Sequence, residues 1–413
     1  RRRTSAHLEM LILSTLLQVA SIVSSARVAA HSTTIRARHY SAPFDSPPQP
    51  GHRVTAVELD AMEGEAGKPV RATLCEALRS DHVALVGVSE EQGECLDRMW
   101  AECAEFFAKT AEERAESAGA LREAYPSKHH ASQSRAYGYA EVKTDAGSSN
   151  SFLDTRLRLK QNLQLELQPV MDAPPTDFAS AAAASQQVLL DVGFAALSAA
   201  AESLGMKVSE VAPLVDFPER LAPGATCATV HRFAHYGGDM GVDPVDAESS
   251  VTFQAHTDGT WFTVIPCAAV PGLEVFASAE HGWVSPERDA AATGRMVMVL
   301  TGEFLQLLSD GEYTAALHRV VRPLGDAPRL SAPLLMRGSA ASGFSGGARD
   351  GTLVARILKS DEEVAVASPP NGAGGAPQKA PTDAKALMLR RIAEARAYKV
   401  EQELNKSGES RTQ

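Results

Sequence analysis

The stretch VTFQAHTDGTWFTVIP, residues 251–266, decides how this chain reads. It alternates β-branched and aromatic residues with polar ones, as a strand does, and it carries His256 and Asp258 two positions apart. On a strand, a spacing of two puts both side chains on one face. An imidazole and a carboxylate projecting together supply two ligands of a metal site.

A third ligand has to come from elsewhere, and the strand-rich sequence downstream offers His281 and His318. His281 sits in AEHGW, which reads as a turn; His318 sits in the apolar run ALHRVV, which reads as a strand and makes it the better candidate. Two imidazoles and one carboxylate leave three positions of an octahedral ion open, the arrangement of non-haem Fe(II) oxygenases. Zinc competes, because the same donor types occur in hydrolases. Arg329, with Ser331 two residues on, favours iron: a guanidinium grips a carboxylate through two parallel bonds, as a dicarboxylate cosubstrate requires.

The flanking residues extend the pattern. HTDGTWFTV (256–264), PGLEVF (271–276) with Gly282-Trp283-Val284, GEFLQLLSDGEYTAALHRVV (302–321) and Arg329-Leu330-Ser331 together resemble the isopenicillin-N-synthase-like branch of the 2-oxoglutarate and Fe(II)-dependent dioxygenases. Fainter similarity reaches upstream through VALVGV (83–88) and the Phe106-Phe107 segment. The resemblance implies an α+β fold with a double-stranded β-helix (jelly-roll) core, flanking helices and an N-terminal α/β segment. It implies iron ligation by His256, Asp258 and His318, and capture of the distal carboxylate of 2-oxoglutarate by Arg329 and Ser331. The family's Asn-x-Tyr pair falls on HRFAHYGG (231–238), where Ala234 replaces Asn and Tyr236 is kept, so Tyr236 is expected as a second cosubstrate contact. Trp261 and Phe262 replace smaller residues beside the metal motif and are expected to reshape the pocket there.

The activity so implied is oxidation, most commonly hydroxylation, of a small organic molecule, using Fe(II), 2-oxoglutarate and O2, with ascorbate as a candidate reductant. Two alternatives stand beside it. One is an Fe(II) oxidase of the same fold that does not use 2-oxoglutarate; the other is a non-catalytic jelly-roll binding or scaffold protein.

The remainder of the chain sets the frame. It has 413 residues, 44% of them apolar, with 40 Lys+Arg against 51 Asp+Glu and a formal charge of −11, which disfavours a nucleic-acid partner. Arg1, Arg2, Arg3, Arg27, Arg36 and Arg38 lie in the first 44 residues, so the body is more acidic than the total suggests. The uncharged run Leu11 to Ala26 followed by HSTTIRARHYSAPF (31–44) reads as a signal- or transit-like leader. That implies a plastid, a mitochondrion or the secretory route, and the cytoplasm if the leader is not genuine. The expected organisation is a leader (1–44), an N-terminal helical segment (45–205), the jelly-roll catalytic domain (206–366), and a linker with a C-terminal helix (367–413) whose protein partner is unknown. No membrane span is expected in the mature protein. Five cysteines without a CxxC pair indicate neither a disulfide framework nor a thiolate metal site. His129-His130 has no acidic neighbour and reads as solvated, and the Gly-rich run 342–351 reads as a loop between late strands.

Overall fold

The computed structural model describes residues 53–118, 137–143, 149–168, 177–236, 251–278, 281–290, 295–321 and 327–339. The leader, His129-His130, the Gly-rich run, the linker and the C-terminal helix lie outside the described residues.

The first strand, β1 (Ala56–Glu58), leads into helix α1 (Lys68–Ser80), which has Pro69 in its first turn, where a missing N–H costs nothing. Strand β2 (Val83–Gly87) is buried along its whole length. Helix α2 (Glu90–Ala108) starts at a capping box: the Ser89 hydroxyl accepts from Gln92 N, and the Gln92 side chain accepts from Ser89 N. Its buried face carries Leu96, Met99, Cys103, Phe106 and Phe107 at helical spacing. Helix α3 (Ala111–Ala118) precedes three antiparallel strands, β3 (Gly138–Lys143), β4 (Ser149–Leu159) and β5 (Leu165–Gln168).

These three strands depart from the helix-dominated first half that the sequence suggests. β4 carries Asp154 and Arg156, both buried, so its apolar alternation is interrupted by charges. What makes those charges tolerable is tertiary. Asp154 receives both Nε and Nη2 of Arg232 at 2.6 and 2.8 Å, and Arg156 donates to the carbonyls of Cys227 and Ala228.

Helix α4 (Phe178–Ser203) is rich in alanine. Its small residues let it lie close on the sheet; at Gly193 a Cβ would collide with Met336. A short helix, α5 (Val208–Val211), follows, and from there the strands recur: β6 (Val230–Tyr236), β7 (Val251–His256), β8 (Phe262–Pro266), β9 (Leu273–Ser278) and β10 (Gly282–Val284). Helix α6 (Pro286–Ala290), β11 (Met296–Thr301), helix α7 (Glu303–Leu308), β12 (His318–Val321), β13 (Arg329–Ser331) and β14 (Leu334–Leu335) complete the described chain.

The strands form two sheets. The larger runs β1-β2-β11-β8-β14-β6-β4-β3, with β13 also on β6 and β5 on β4; the smaller runs β10-β9-β12-β7. Among the described residues every pairing is antiparallel except β1 with β2. Val83, Leu85, Tyr236, Val275, Met298 and Val320 form one core cluster that joins the two sheets. Val264, Val297 and Val299 of the large sheet join Leu74 and Leu78 of α1 and Leu189 and Leu197 of α4 in another. β11 therefore reads MVMVLT without polar interruption, because Met298 serves one layer and its neighbours Val297 and Val299 the other. This is the α+β jelly-roll core that the sequence resemblance implied, with the N-terminal strands β1 to β4 built into its larger sheet.

Candidate metal centre and anion clamp

Register places the first two site residues. β12 pairs antiparallel with β7, and His318 is directly opposite His256, with ring centroids 4.3 Å apart. Each imidazole is held through Nδ1 by a backbone carbonyl two residues earlier, His256 on Gln254 O at 2.8 Å and His318 on Ala316 O at 3.0 Å. Nδ1 is then the protonated nitrogen, and Nε2 offers its lone pair.

Asp258 reaches the same place by a different route from the one its spacing suggests. β7 ends at His256, so Asp258 is beyond the strand and strand alternation does not orient it. A turn does. The Asp258 carbonyl accepts from Thr260 N at 2.9 Å and from Glu303 N at 3.0 Å, and Arg337 Nη1 donates to Gly259 O at 2.6 Å. The turn returns the carboxylate to the two rings: Oδ1 lies 3.7 Å from His256 Nε2 and Oδ2 lies 3.6 Å from His318 Nε2. Thr263 Oγ1 donates to Oδ2 at 2.6 Å and fixes its orientation. One donor atom from each of the three residues lies within 4.8 Å of the others, a spacing that one metal ion can fill.

The electrostatics suit a cation. Burial lowers the His256 pKa to about 4, with the His318 ring adding to the effect, so His256 is neutral at ordinary pH and free to ligate. Burial alone would raise Asp258, but the neighbouring His318 and His256 and the Thr263 hydrogen bond outweigh it and hold the carboxyl below the usual carboxylate range.

The second group of expected residues sits on β13. Arg329 is opposite Tyr236 of β6, and Ser331 is opposite Ala234, so all four share one face of the larger sheet. Tyr236 and Ala234 belong to the cluster that joins the two sheets, which puts this face inward. The Arg329 Cζ lies 5.3 Å from the Tyr236 ring centroid. Arg329 is 1% exposed and, among the described residues, its Nη1 has no hydrogen-bond partner. A buried, unpartnered guanidinium nitrogen is a donor prepared for an anion. The donor chemistry of both clusters therefore fits a metal ion and an acidic cosubstrate.

Three residues singled out in the sequence lie elsewhere. His281 bonds Ser278 through its side chain and is not among the three clustered donors. Trp261 and Phe262 are fully buried in the layer facing the helices, Trp261 stacked on Phe304 with centroids 5.7 Å apart, and Phe262 points to the opposite side of β8 from Thr263. Their bulk fills the helix-side core and does not shape the space around Asp258. Conversely, sequence reasoning missed Thr263 and Glu287, the latter a carboxylate with no exposed surface that pairs with Arg329 at 2.7 Å.

Residues 228–338 match the family model of the 2OG-Fe(II) oxygenase superfamily. The chain carries a 2OG-Fe(II) oxygenase domain. That domain contains every one of the site residues above. Gibberellin 3-beta-dioxygenase 2-3 of Triticum aestivum is 34% identical to the chain over 76 residues, which is 18% of this chain and 20% of the wheat protein. The match thus spans about a fifth of the curated relative's length. Among solved structures, full-length Neurospora crassa T7H in complex with alpha-KG and thymine superposes with a TM-score of 0.53 at 13% identity, covering 83% of this chain and 97% of that one. A 2OG-Fe(II) oxygenase family protein from Caulobacter crescentus gives 0.51 at 17% identity, covering 69% and 87%. At these identities the two structures establish that the oxygenase fold extends well beyond the matched segment.

Proposed function

We propose that this chain is an Fe(II)- and 2-oxoglutarate-dependent dioxygenase that oxidises a small organic molecule, hydroxylation being the favoured outcome, with release of succinate and CO2. The observation that carries this reading is the convergence of His256, Asp258 and His318 in a jelly roll whose inward face also presents the unpartnered Nη1 of buried Arg329. When bound, iron would activate O2, which is the oxidant, and 2-oxoglutarate would supply two of the electrons O2 takes up as it is converted to succinate and CO2.

The chain's own residues bind, orient and shield. His256 and His318 each present Nε2 as a ligand atom, and Asp258 supplies a carboxylate oxygen. Arg329 and Ser331 hold the distal carboxylate of the cosubstrate. The Tyr236 phenol, its pKa raised by burial, stays protonated and supplies a further donor beside Arg329. Apolar side chains of both sheets around these groups exclude water and strengthen each polar contact.

The Glu287 ion pair is the one observation that favours the alternative, an Fe(II) oxidase without 2-oxoglutarate, because the charge of Arg329 is already met. An anaerobic titration of the Fe(II) protein with 2-oxoglutarate separates the two. A weak visible charge-transfer band that saturates in wild type and is lost in Arg329→Ala supports the dioxygenase. No band in wild type, or identical behaviour in both proteins, overturns it. Succinate release above the uncoupled background in a metabolite screen then identifies the substrate class.

A further inference from the structure

Glu287 occupies an unusual position for a carboxylate. It lies in the short helix α6, has no exposed surface, and all its described bonds concern two elements. Oε2 accepts from the backbone N–H groups of Gly272 and Leu273 at 2.7 and 2.9 Å, at the start of β9. Oε1 accepts from Arg329 Nη2 at 2.7 Å, and Arg329 Nε lies 3.4 Å from Oε2. The carboxylate is anchored by the backbone and grips the Nε/Nη2 edge of the guanidinium, which leaves Nη1 as the donor without a partner.

The route of the Arg329 side chain is set by the same loop. A Cβ on Gly272 would stand 2.6 Å from Arg329 Cδ and 3.0 Å from its Nε, so the arginine stem passes directly over the glycine. Gly272 clears the path while Glu287, held by Gly272 N, fixes the head group.

We propose that Glu287 is a positioning residue for the cosubstrate: by locking one edge of Arg329 it presents Nη1 alone, and so fixes where the distal carboxylate of 2-oxoglutarate docks. The proposal rests on the reading of Arg329 as the cosubstrate clamp. Its cost is electrostatic. Glu287 cancels the arginine's charge, so Arg329 contributes a directed hydrogen bond, and the net attraction for a dianion falls to the metal centre. Preorganisation and charge therefore make opposite predictions for removal of the carboxylate. A freed guanidinium with uncancelled charge would bind 2-oxoglutarate more tightly if charge dominated, and more weakly if orientation did.

The test compares wild type, Glu287→Gln and Gly272→Ala as metal-loaded proteins under anaerobic conditions, measuring the dissociation constant of 2-oxoglutarate by calorimetry and that of Fe(II) separately. The glutamine keeps the volume but cannot accept from Arg329 and both backbone N–H groups at once. Gly272→Ala displaces the arginine stem and leaves the Glu287 charge in place. Positioning predicts that both variants weaken 2-oxoglutarate at least tenfold, keep Fe(II) affinity within twofold, and raise KM for 2-oxoglutarate more than they lower kcat. Unchanged or tighter 2-oxoglutarate binding in Glu287→Gln overturns the proposal. So does parallel loss of Fe(II) affinity, which marks general damage to the fold. Wild type that binds Fe(II) but no 2-oxoglutarate removes the clamp reading beneath it as well.

Discussion

His256 and His318 are cross-strand partners in the β7–β12 ladder, and each is locked by its own backbone through Nδ1. The two imidazoles are thereby fixed by secondary structure alone, before any ion arrives. The third donor is not. Asp258 hangs from a turn and depends on Thr263 for its orientation.

That asymmetry predicts that Thr263→Val weakens metal binding roughly tenfold to a hundredfold, the usual effect of removing a group that orients a ligand, with little change in melting temperature. Metal titration of the purified variant reads the first and thermal unfolding of the metal-free protein the second. Unchanged affinity would show that the turn holds Asp258 unaided.

The turn itself is tied to α7 through Gly302. A Cβ there would collide with the Thr260 backbone, and Thr260 O and Asp258 O both accept from the first residues of α7. Gly302→Ala should destabilise the fold by about 1–3 kcal/mol, as overpacking does. It should also lower metal affinity, since the displaced backbone carries Asp258. Denaturant unfolding and metal titration of one preparation check both.

Ser89→Ala removes the hydroxyl that caps α2 and should cost about 1 kcal/mol. Metal affinity should be unaffected, so the variant also serves as a stability control for the two above.

A pH dependence follows from His231, which is buried against Phe233 and has its pKa lowered by burial to about 4. The unfolded imidazole titrates near 6.5, so between about pH 6.5 and 4 the unfolded chain binds the extra proton. Stability from this group is complete above about pH 6.5 and falls by roughly 3 kcal/mol as the pH drops to about 4. His231→Leu should flatten that part of the melting-temperature profile of the metal-loaded protein. An identical slope in variant and wild type would assign it to other groups.

The site residues that sequence disclosed share a property: each declares its chemistry locally. His256, Asp258, His318 and Arg329 are polar groups set in apolar runs, and such interruptions are visible without a structure. Their order supports the resemblance, although the reason for the spacing of His256 and Asp258 proved to be a turn and not strand alternation. β2 was legible as VALVGV, and the signals of α1 and α2 are equally local, Pro69 in the first turn of one and Ser89 at the cap of the other. β4 was hidden because its buried Asp154 is paired with Arg232 of β6 and its buried Arg156 bonds the carbonyls of Cys227 and Ala228, all more than seventy positions away. Glu287 was hidden for the same reason. In SPERDA it looks like a solvated acid at a helix start, and only the return of Arg329 from 42 positions later takes it out of water.

The sheet order also bears on how the molecule comes into being. β2 finds its antiparallel partner in β11, so Val83 and Leu300 meet only after more than two hundred intervening residues have been made. As the chain leaves the ribosome, its first buried strand has just β1 for company, and the edge awaiting β11 stays open until late in synthesis. Contacts of such long range slow folding and leave apolar strand edges exposed meanwhile. The metal pocket, whose His318 comes later still, thus takes shape only after β2 has waited for its partner.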